Sequence, residues 1–145
     1  MLLVVLVFQF ALVSNIVGFN MNERYEKTYA MCIRIVDNLE SQPEYRHGMK
    51  VAILGGFPSE EVYPTTDITC YDLVGYFGVA DDFCVNSTAK YAEFMKHYLD
   101  VTIATIPEAE EIALTETGEF KDMEYFPYEG SIKLIGDVWV IKLNG

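Results

Sequence analysis

Residues 131–143 read SIKLIGDVWVIKL, and they decide how the chain ends its fold. Two apolar runs, 131–135 and 138–143, flank Gly136 and Asp137. A Gly-Asp pair between two such runs is typical of a two-residue turn that joins antiparallel strands. We therefore expect the domain to end in a β-hairpin.

Further strands and helices are predicted upstream of this hairpin. Residues 49–54 (MKVAIL) form a nearly continuous apolar run, typical of a strand covered on both faces, and residues 100–106 alternate as a second strand. Helices are predicted at 22–41, at 67–76, from Ser87 or Thr88 to Leu99, and from Pro107 to Gly118. The order α-β-α-α-β-α-β-β predicts a small α/β domain with a mixed sheet, whose first two strands are parallel.

Charge is unevenly distributed along the 145 residues. All 22 acidic and 10 basic residues lie at or after Glu23, which gives that part the whole net charge of −12. So acidic a domain repels phosphate backbones, which argues against nucleic-acid binding. Ten Tyr and nine Phe are too many for a disordered acidic tail, so we expect this domain to fold.

The first 19 residues, MLLVVLVFQFALVSNIVGF, contain no ionisable side chain. As a helix they would be about 28 Å long, close to the roughly 30 Å hydrocarbon core of a bilayer. A signal peptide and a buried helix are the alternatives, but basic residues do not precede the run, and it is apolar nearly all round. The sequence predicts a transmembrane helix at 1–20 and an acidic α/β domain at 21–145.

The three cysteines predict neither a zinc site nor a redox motif, because their number is odd and they form no C-x-x-C pair. Cys32 falls on the apolar face of the first helix and is expected to be a core thiol. Cys70 and Cys84 are either buried thiols or, outside the cytoplasm, a disulfide. Asp81 and Asp82 lack further ligands at a calcium-binding spacing, so we expect no metal and no cofactor.

A ligand site is predicted at the end of the first strand. Gly55 and Gly56 follow that strand directly, at the position where open α/β sheets bind ligands, and Thr66 and Asp67 are polar residues that could face the same edge. The alternatives are a tight turn for the glycines and helix capping for Thr66 and Asp67. No phosphate-binding glycine motif surrounds them.

An aromatic cluster around Pro127 is the second candidate site. Tyr125, Phe126 and Tyr128 could form a surface for a glycan or a protein partner. The same three rings could instead fill the core beneath the final hairpin, and this second interpretation is the one we favour. No catalytic residue can be assigned in this chain.

Four segments together resemble the C-terminal end of bacterial Gtr-type glucosyltransferases, which are polytopic membrane enzymes that modify O-antigen and other cell-surface glycans. The segments are NERYEKTYA (22–30), MKVAILGGFP (49–58), KYAEFMKHYL (90–99) and YFPYEGSIKLIGDVWVIKLNG (125–145). The resemblance implies glucose transfer from a polyprenyl-phosphate donor, with the chemistry in membrane loops that this chain does not contain.

The resemblance therefore predicts a membrane-anchored accessory domain that is not catalytic by itself. Its partners would be the lipid bilayer, a polytopic glycosyltransferase region, and a polyprenyl-phosphate sugar or glycan acceptor. The resemblance places the chain in the bacterial cell membrane, with its globular domain outside the cytoplasm. The basic residues Arg24, Lys27 and Arg34 slightly favour a cytoplasmic domain instead. The alternative is a free-standing membrane-tethered module that binds a small molecule or a protein.

Overall fold

The computed structural model describes residues 2–55 and 87–143. Within these residues the elements follow the predicted order, with one additional short helix, α4 (Gly118–Lys121), that was not predicted. They are α1 (Leu2–Glu40), β1 (Lys50–Leu54), α2 (Thr88–Leu99), β2 (Ala104–Thr105), α3 (Glu108–Thr115), α4 (Gly118–Lys121), β3 (Ile132–Ile135) and β4 (Val138–Lys142). The predicted helix at 67–76, the pair Asp81 and Asp82, and both Cys70 and Cys84 lie outside the described residues.

The four strands form one mixed sheet in the order β2-β1-β4-β3. β1 is parallel to β2 and also to β4, with Lys50 opposite Val138 and Leu54 opposite Lys142. β3 and β4 are antiparallel around the turn at Gly136 and Asp137. The predicted α/β class, the parallel first pair and the closing hairpin are confirmed.

Two compact units divide the described residues, one with α1 up to Thr28 and the other with the chain from Tyr29 onward. The apolar residues of the first unit are the beginning of α1, which continues without a break to Glu40. The boundary predicted at residue 20 lies within this helix, and the division of the chain at that residue stays a prediction. Large apolar side chains such as Leu3 and Phe10 are exposed there.

The predicted membrane localisation is corrected by the structure. Within residues 2–55 and 87–143, no helix combines the length and the apolar character that crossing a bilayer requires. The apolar run was predicted as a separate spanning element from its composition alone, whereas the structure joins it to a charged helix.

The sheet of the second unit is covered on both faces because its strands alternate between two cores. Val51 and Ile53 of β1 face α1 and α2, and pack with residues such as Ile35, Leu39 and Tyr91. Ala52 and Leu54 of β1 face the opposite core. The other buried residues of that core are Ile106, Met123, Ile135, Val138 and Val140. Such two-sided burial explains why β1 is apolar from Val51 to Leu54.

β2 is much shorter than the predicted strand at 100–106. Asp100 ends α2 in the left-handed conformation (φ 56°), and its N–H donates to Met95 O, so it belongs to the helix cap. Only Ala104 and Thr105 pair with β1. The main-chain groups of β1 beyond Val51 consequently need another partner on this side, and Thr88 of α2 supplies it.

Candidate functional site

A cavity of about 350 Å³ lies at the carboxyl end of β1 and next to the residue that follows β2. Three segments build it: the end of β1, the start of α2 and the start of α3. Its lining residues are Ile53, Leu54, Gly55, Ser87, Ala89, Ile106, Glu108 and Glu111. Open α/β sheets bind ligands outside the carboxyl ends of their strands, so this is the position that the fold favours for a site.

The start of α2 is fixed to β1 by two neighbouring hydroxyl groups. Ser87 is the N-cap, and its Oγ accepts a hydrogen bond from Lys90 N at 3.4 Å. Thr88 is fully buried, and its Oγ1 accepts from Ile53 N at 3.0 Å and donates to Ile53 O at 3.1 Å. One wall of the cavity therefore has a fixed position relative to the strand.

Gly55 forms the edge of the cavity in a conformation that requires glycine. Its φ is +104°, and a Cβ at this position would overlap the carbonyl oxygen of Leu143. The same close approach is stabilised by Leu143 N, which donates to Leu54 O at 2.7 Å. Gly55 thus has a structural reason to be glycine. It also lines the cavity, and its predicted role in ligand binding stays a prediction.

Two carboxylates, Glu108 and Glu111, supply the charge of the cavity. They lie one turn apart at the start of α3, where the N-terminal end of the helix dipole stabilises negative charge. Ser87 adds a hydroxyl, and the other lining side chains are apolar or absent. This arrangement can accept hydrogen bonds from hydroxyl or ammonium groups, and it repels anions.

The remaining predicted ligand residues, Gly56, Thr66 and Asp67, lie outside the described residues. Glu108 and Glu111 were not among the site residues predicted from the sequence. The available signal was that these glutamates directly follow the second parallel strand.

The aromatic cluster is split between core and surface. Phe126 is 1% exposed and belongs to the core between α1 and the sheet, so its ring is not available to a glycan. Tyr125 and Tyr128 are 44% and 63% exposed. The favoured core interpretation thus describes Phe126, whereas a glycan or partner surface stays a prediction for the two tyrosines.

An unexpected feature is the buried Lys142, which is 7% exposed. Its Nζ donates to the carbonyl oxygens of Phe120, Lys121 and Met123 at 2.8–3.1 Å, at the end of α4. It also lies 4.6 Å from the ring centroid of Tyr125. All three ammonium protons therefore have acceptors, which makes Lys142 a structural residue rather than a catalytic base.

Metal and sequence comparisons add no further assignment. The described residues contain no group of three or more His, Cys, Asp or Glu side chains placed to hold a metal ion. Comparisons of the chain with known protein families, with characterised proteins and with solved structures found no match.

Proposed function

We propose that this chain is a non-catalytic binding domain of a glucosyltransferase system, and that its cavity binds a neutral, hydroxyl-rich ligand such as the sugar of a glycan acceptor. The observation that carries the proposal is the position of Glu108 and Glu111 in a cavity at the carboxyl ends of parallel strands. Carboxylates form charge-assisted hydrogen bonds with hydroxyl groups.

Charge favours the acceptor sugar over the lipid-linked donor. Among the described residues that line the cavity, two are acidic and none is basic, and the whole chain carries a net charge of −12. A polyprenyl-phosphate would bring its own negative charge close to both glutamates, which is unfavourable at a partly desolvated site. A neutral sugar avoids this repulsion.

The lack of Lys and Arg in the sequence around Gly55 also supports binding rather than catalysis. Transfer from a phosphate donor needs groups that stabilise the departing phosphate. The sequence contains no Lys or Arg between Lys50 and Lys90, which includes Gly55 and the residues that follow it. The buried Lys142 is already held by three main-chain carbonyls.

The sugar class is supported by the resemblance of four segments to the terminal part of Gtr-type glucosyltransferases. Two of those segments, 49–58 and 90–99, include or follow the cavity residues of β1 and α2. In this proposal the domain positions an acceptor for a catalytic region that lies elsewhere.

An NMR titration of the ¹⁵N-labelled chain with glucose, maltose and glucose 1-phosphate tests the proposal. We expect the two neutral sugars to shift the amide signals of Leu54, Gly55 and Glu111, and the phosphate ester to bind more weakly. Glu111→Gln should weaken sugar binding about tenfold, since it removes a charge-assisted acceptor. Glu110→Gln is the matched control, because Glu110 lies in the same turn but does not line the cavity.

Equal binding of the phosphate ester, or equal effects of the two variants, would contradict the proposal. If ethanolamine shifts the same signals and the sugars do not, the second function applies: a free-standing binding module for a small cationic molecule. The same two carboxylates would then pair with an ammonium group.

A further inference from the structure

A second groove, of about 360 Å³, runs between α2 and the outer side of β2. β2 is an edge strand of the sheet, with β1 as its one strand neighbour within the described residues. Four residues of α2 form one wall and three residues of the β2 segment form the other. They are Ala89, Ala92, Glu93 and Lys96, and Thr102, Ile103 and Thr105.

The register of β1 shows which main-chain groups of β2 point outward. Leu54 O accepts from Leu143 N on the β4 side, so the groups of Val51 and Ile53 point to the opposite side, toward β2. Val51 is opposite Thr105 in the parallel register. In a parallel pair, a residue forms its hydrogen bonds with the two neighbours of the residue opposite to it, so Val51 bonds to the neighbours of Thr105. The N–H and C=O of Thr105 therefore point away from β1 and toward the groove.

The helical wall leaves space above this edge. Ala89 and Ala92 are small, and they face the groove at a spacing of three residues along α2. Ile103 is buried beneath the helix, whereas Thr105 is exposed. Among residues 2–55 and 87–143 the outer edge of β2 has no partner strand, and such an edge beside a helix with small side chains is the geometry in which an extended peptide adds to a sheet.

We propose that an extended segment of a basic protein binds in this groove and adds to β2 as a fifth strand of the sheet. Main-chain hydrogen bonds with Thr105 would hold the segment, and its small side chains would lie against Ala89 and Ala92. A basic side chain would pair with Glu93 at the rim of the groove.

Charge selects this occupant over a second copy of the chain. Each copy carries a net charge of −12, so joining two β2 edges would bring two strongly acidic chains together. In the groove itself the charges of Glu93 and Lys96 balance, and Asp100 and Glu108 add negative charge just before and just after the β2 segment in the sequence. A basic segment gains from the same field.

Fluorescence anisotropy with the full chain and a labelled octapeptide, in which lysine alternates with valine and threonine, tests the proposal. A second octapeptide carries glutamate in place of lysine, and a third is the lysine peptide with alternate main-chain nitrogens methylated. We expect saturable binding of the first, no binding of the second, and at least tenfold weaker binding of the third, because N-methylation removes the donors that a strand pairing needs.

Ala92→Leu should also weaken binding of the lysine peptide at least tenfold, because the larger side chain fills the groove. Ala113→Leu makes the same change on the exposed part of α3 and should leave binding unchanged. Neither Ala92 nor Thr105 lines the sugar cavity, and Glu111 does not line the groove, so Glu111→Gln should not affect the peptide.

Binding that survives both N-methylation and Ala92→Leu would overturn the proposal. So would equal binding of the lysine and glutamate peptides. A concentration-dependent dimer of the chain in sedimentation, disrupted by Ala92→Leu and without peptide binding, would assign the groove to a second copy instead.

Discussion

The hydroxyl of Thr88 takes the place of a strand residue beside Ile53. It accepts a hydrogen bond from the Ile53 N–H and donates one to the Ile53 carbonyl, at 3.0 and 3.1 Å. Both main-chain groups point to the side on which β2 has already ended, so a neighbouring strand does not satisfy them. A single side chain thus joins the first residue of α2 to the centre of the sheet.

Removing this hydroxyl should be costly. Thr88→Val keeps the shape of the side chain but leaves a buried N–H and a buried C=O without a partner, which together should lower the free energy of unfolding by about 3 kcal/mol. Urea unfolding measures this loss. Thr88→Ser keeps the hydroxyl and should cost about 1 kcal/mol for the lost methyl group. Similar losses in the two variants would contradict the assigned role.

Gly55 and Gly48 form a matched pair for a test of close packing. Both have positive φ, at +104° and +91°, but only at Gly55 would a Cβ overlap a neighbouring atom, Leu143 O. Gly48→Ala should cost about 1–2 kcal/mol for the left-handed conformation. Gly55→Ala should cost roughly 2 kcal/mol more, because the ends of β1 and β4 must move apart. Equal losses in thermal unfolding would show that the approach to Leu143 does not matter.

Cys32 should be inert in the folded chain. Its side chain is fully buried, and desolvation raises the pKa of the thiol to about 12. Because the thiolate is the reactive form, iodoacetamide at pH 8 should leave Cys32 unmodified, and peptide mass mapping reads its modification separately from Cys70 and Cys84. In concentrated guanidinium chloride the same thiol should react completely. Rapid labelling of Cys32 in the native chain would rule out the buried position.

The ion pair between Lys50 and Asp137 should make a pH-dependent contribution to stability. The hydrogen bond and the charge of Lys50 lower the pKa of Asp137 below 3.8, and Asp137 raises the pKa of Lys50 above 10.5. The stabilisation from Asp137 is present above its ordinary pKa and is lost as the pH falls through the lowered pKa. That from Lys50 is present below its ordinary pKa and is lost as the pH rises through the raised one.

Asp137→Asn should therefore be less stable than the wild type over the neutral range, and the two should converge at strongly acidic and strongly alkaline pH. Both groups are exposed, so the difference is small and should shrink further in 1 M salt. Glu129→Gln removes an exposed carboxylate elsewhere and serves as the control. A difference between Asp137→Asn and wild type that is independent of both pH and salt would exclude the ion pair as its cause.

The hairpin could be predicted because its information is local. Gly136 adopts φ +63° in the turn, and the runs on either side alternate or are buried as strands require. The apolar face with Cys32 and Leu39 likewise predicted a helix that packs on the sheet. The continuity of α1 was missed, because the apolar run at 1–20 was interpreted as a separate helix and not as the first part of a longer one.

The features that could not be predicted depend on residues far apart in the chain. The pairing of β1 with β4, the Thr88 hydroxyl on Ile53 and the Lys142 ammonium on three carbonyls each join distant segments. Lys142 in a strand pattern suggests an outward-facing charge, whereas here it is buried because the end of α4 supplies acceptors. The cavity at the end of β1 is of the same kind, since its glutamates follow β2 and its glycine follows β1.

The central position of β1 has a consequence for synthesis of the chain. Lys50 and its partner Asp137 are 87 residues apart, and β4 next to it covers the full length of β1. At the usual 5–20 residues per second, the ribosome needs on the order of 10 s to make that interval. During this time β1 has been made, but β4, its partner strand, has not. Thr88 of α2 bonds to Ile53 on the opposite edge of β1, so α2 leaves the edge that pairs with β4 uncovered until the final strand has been made.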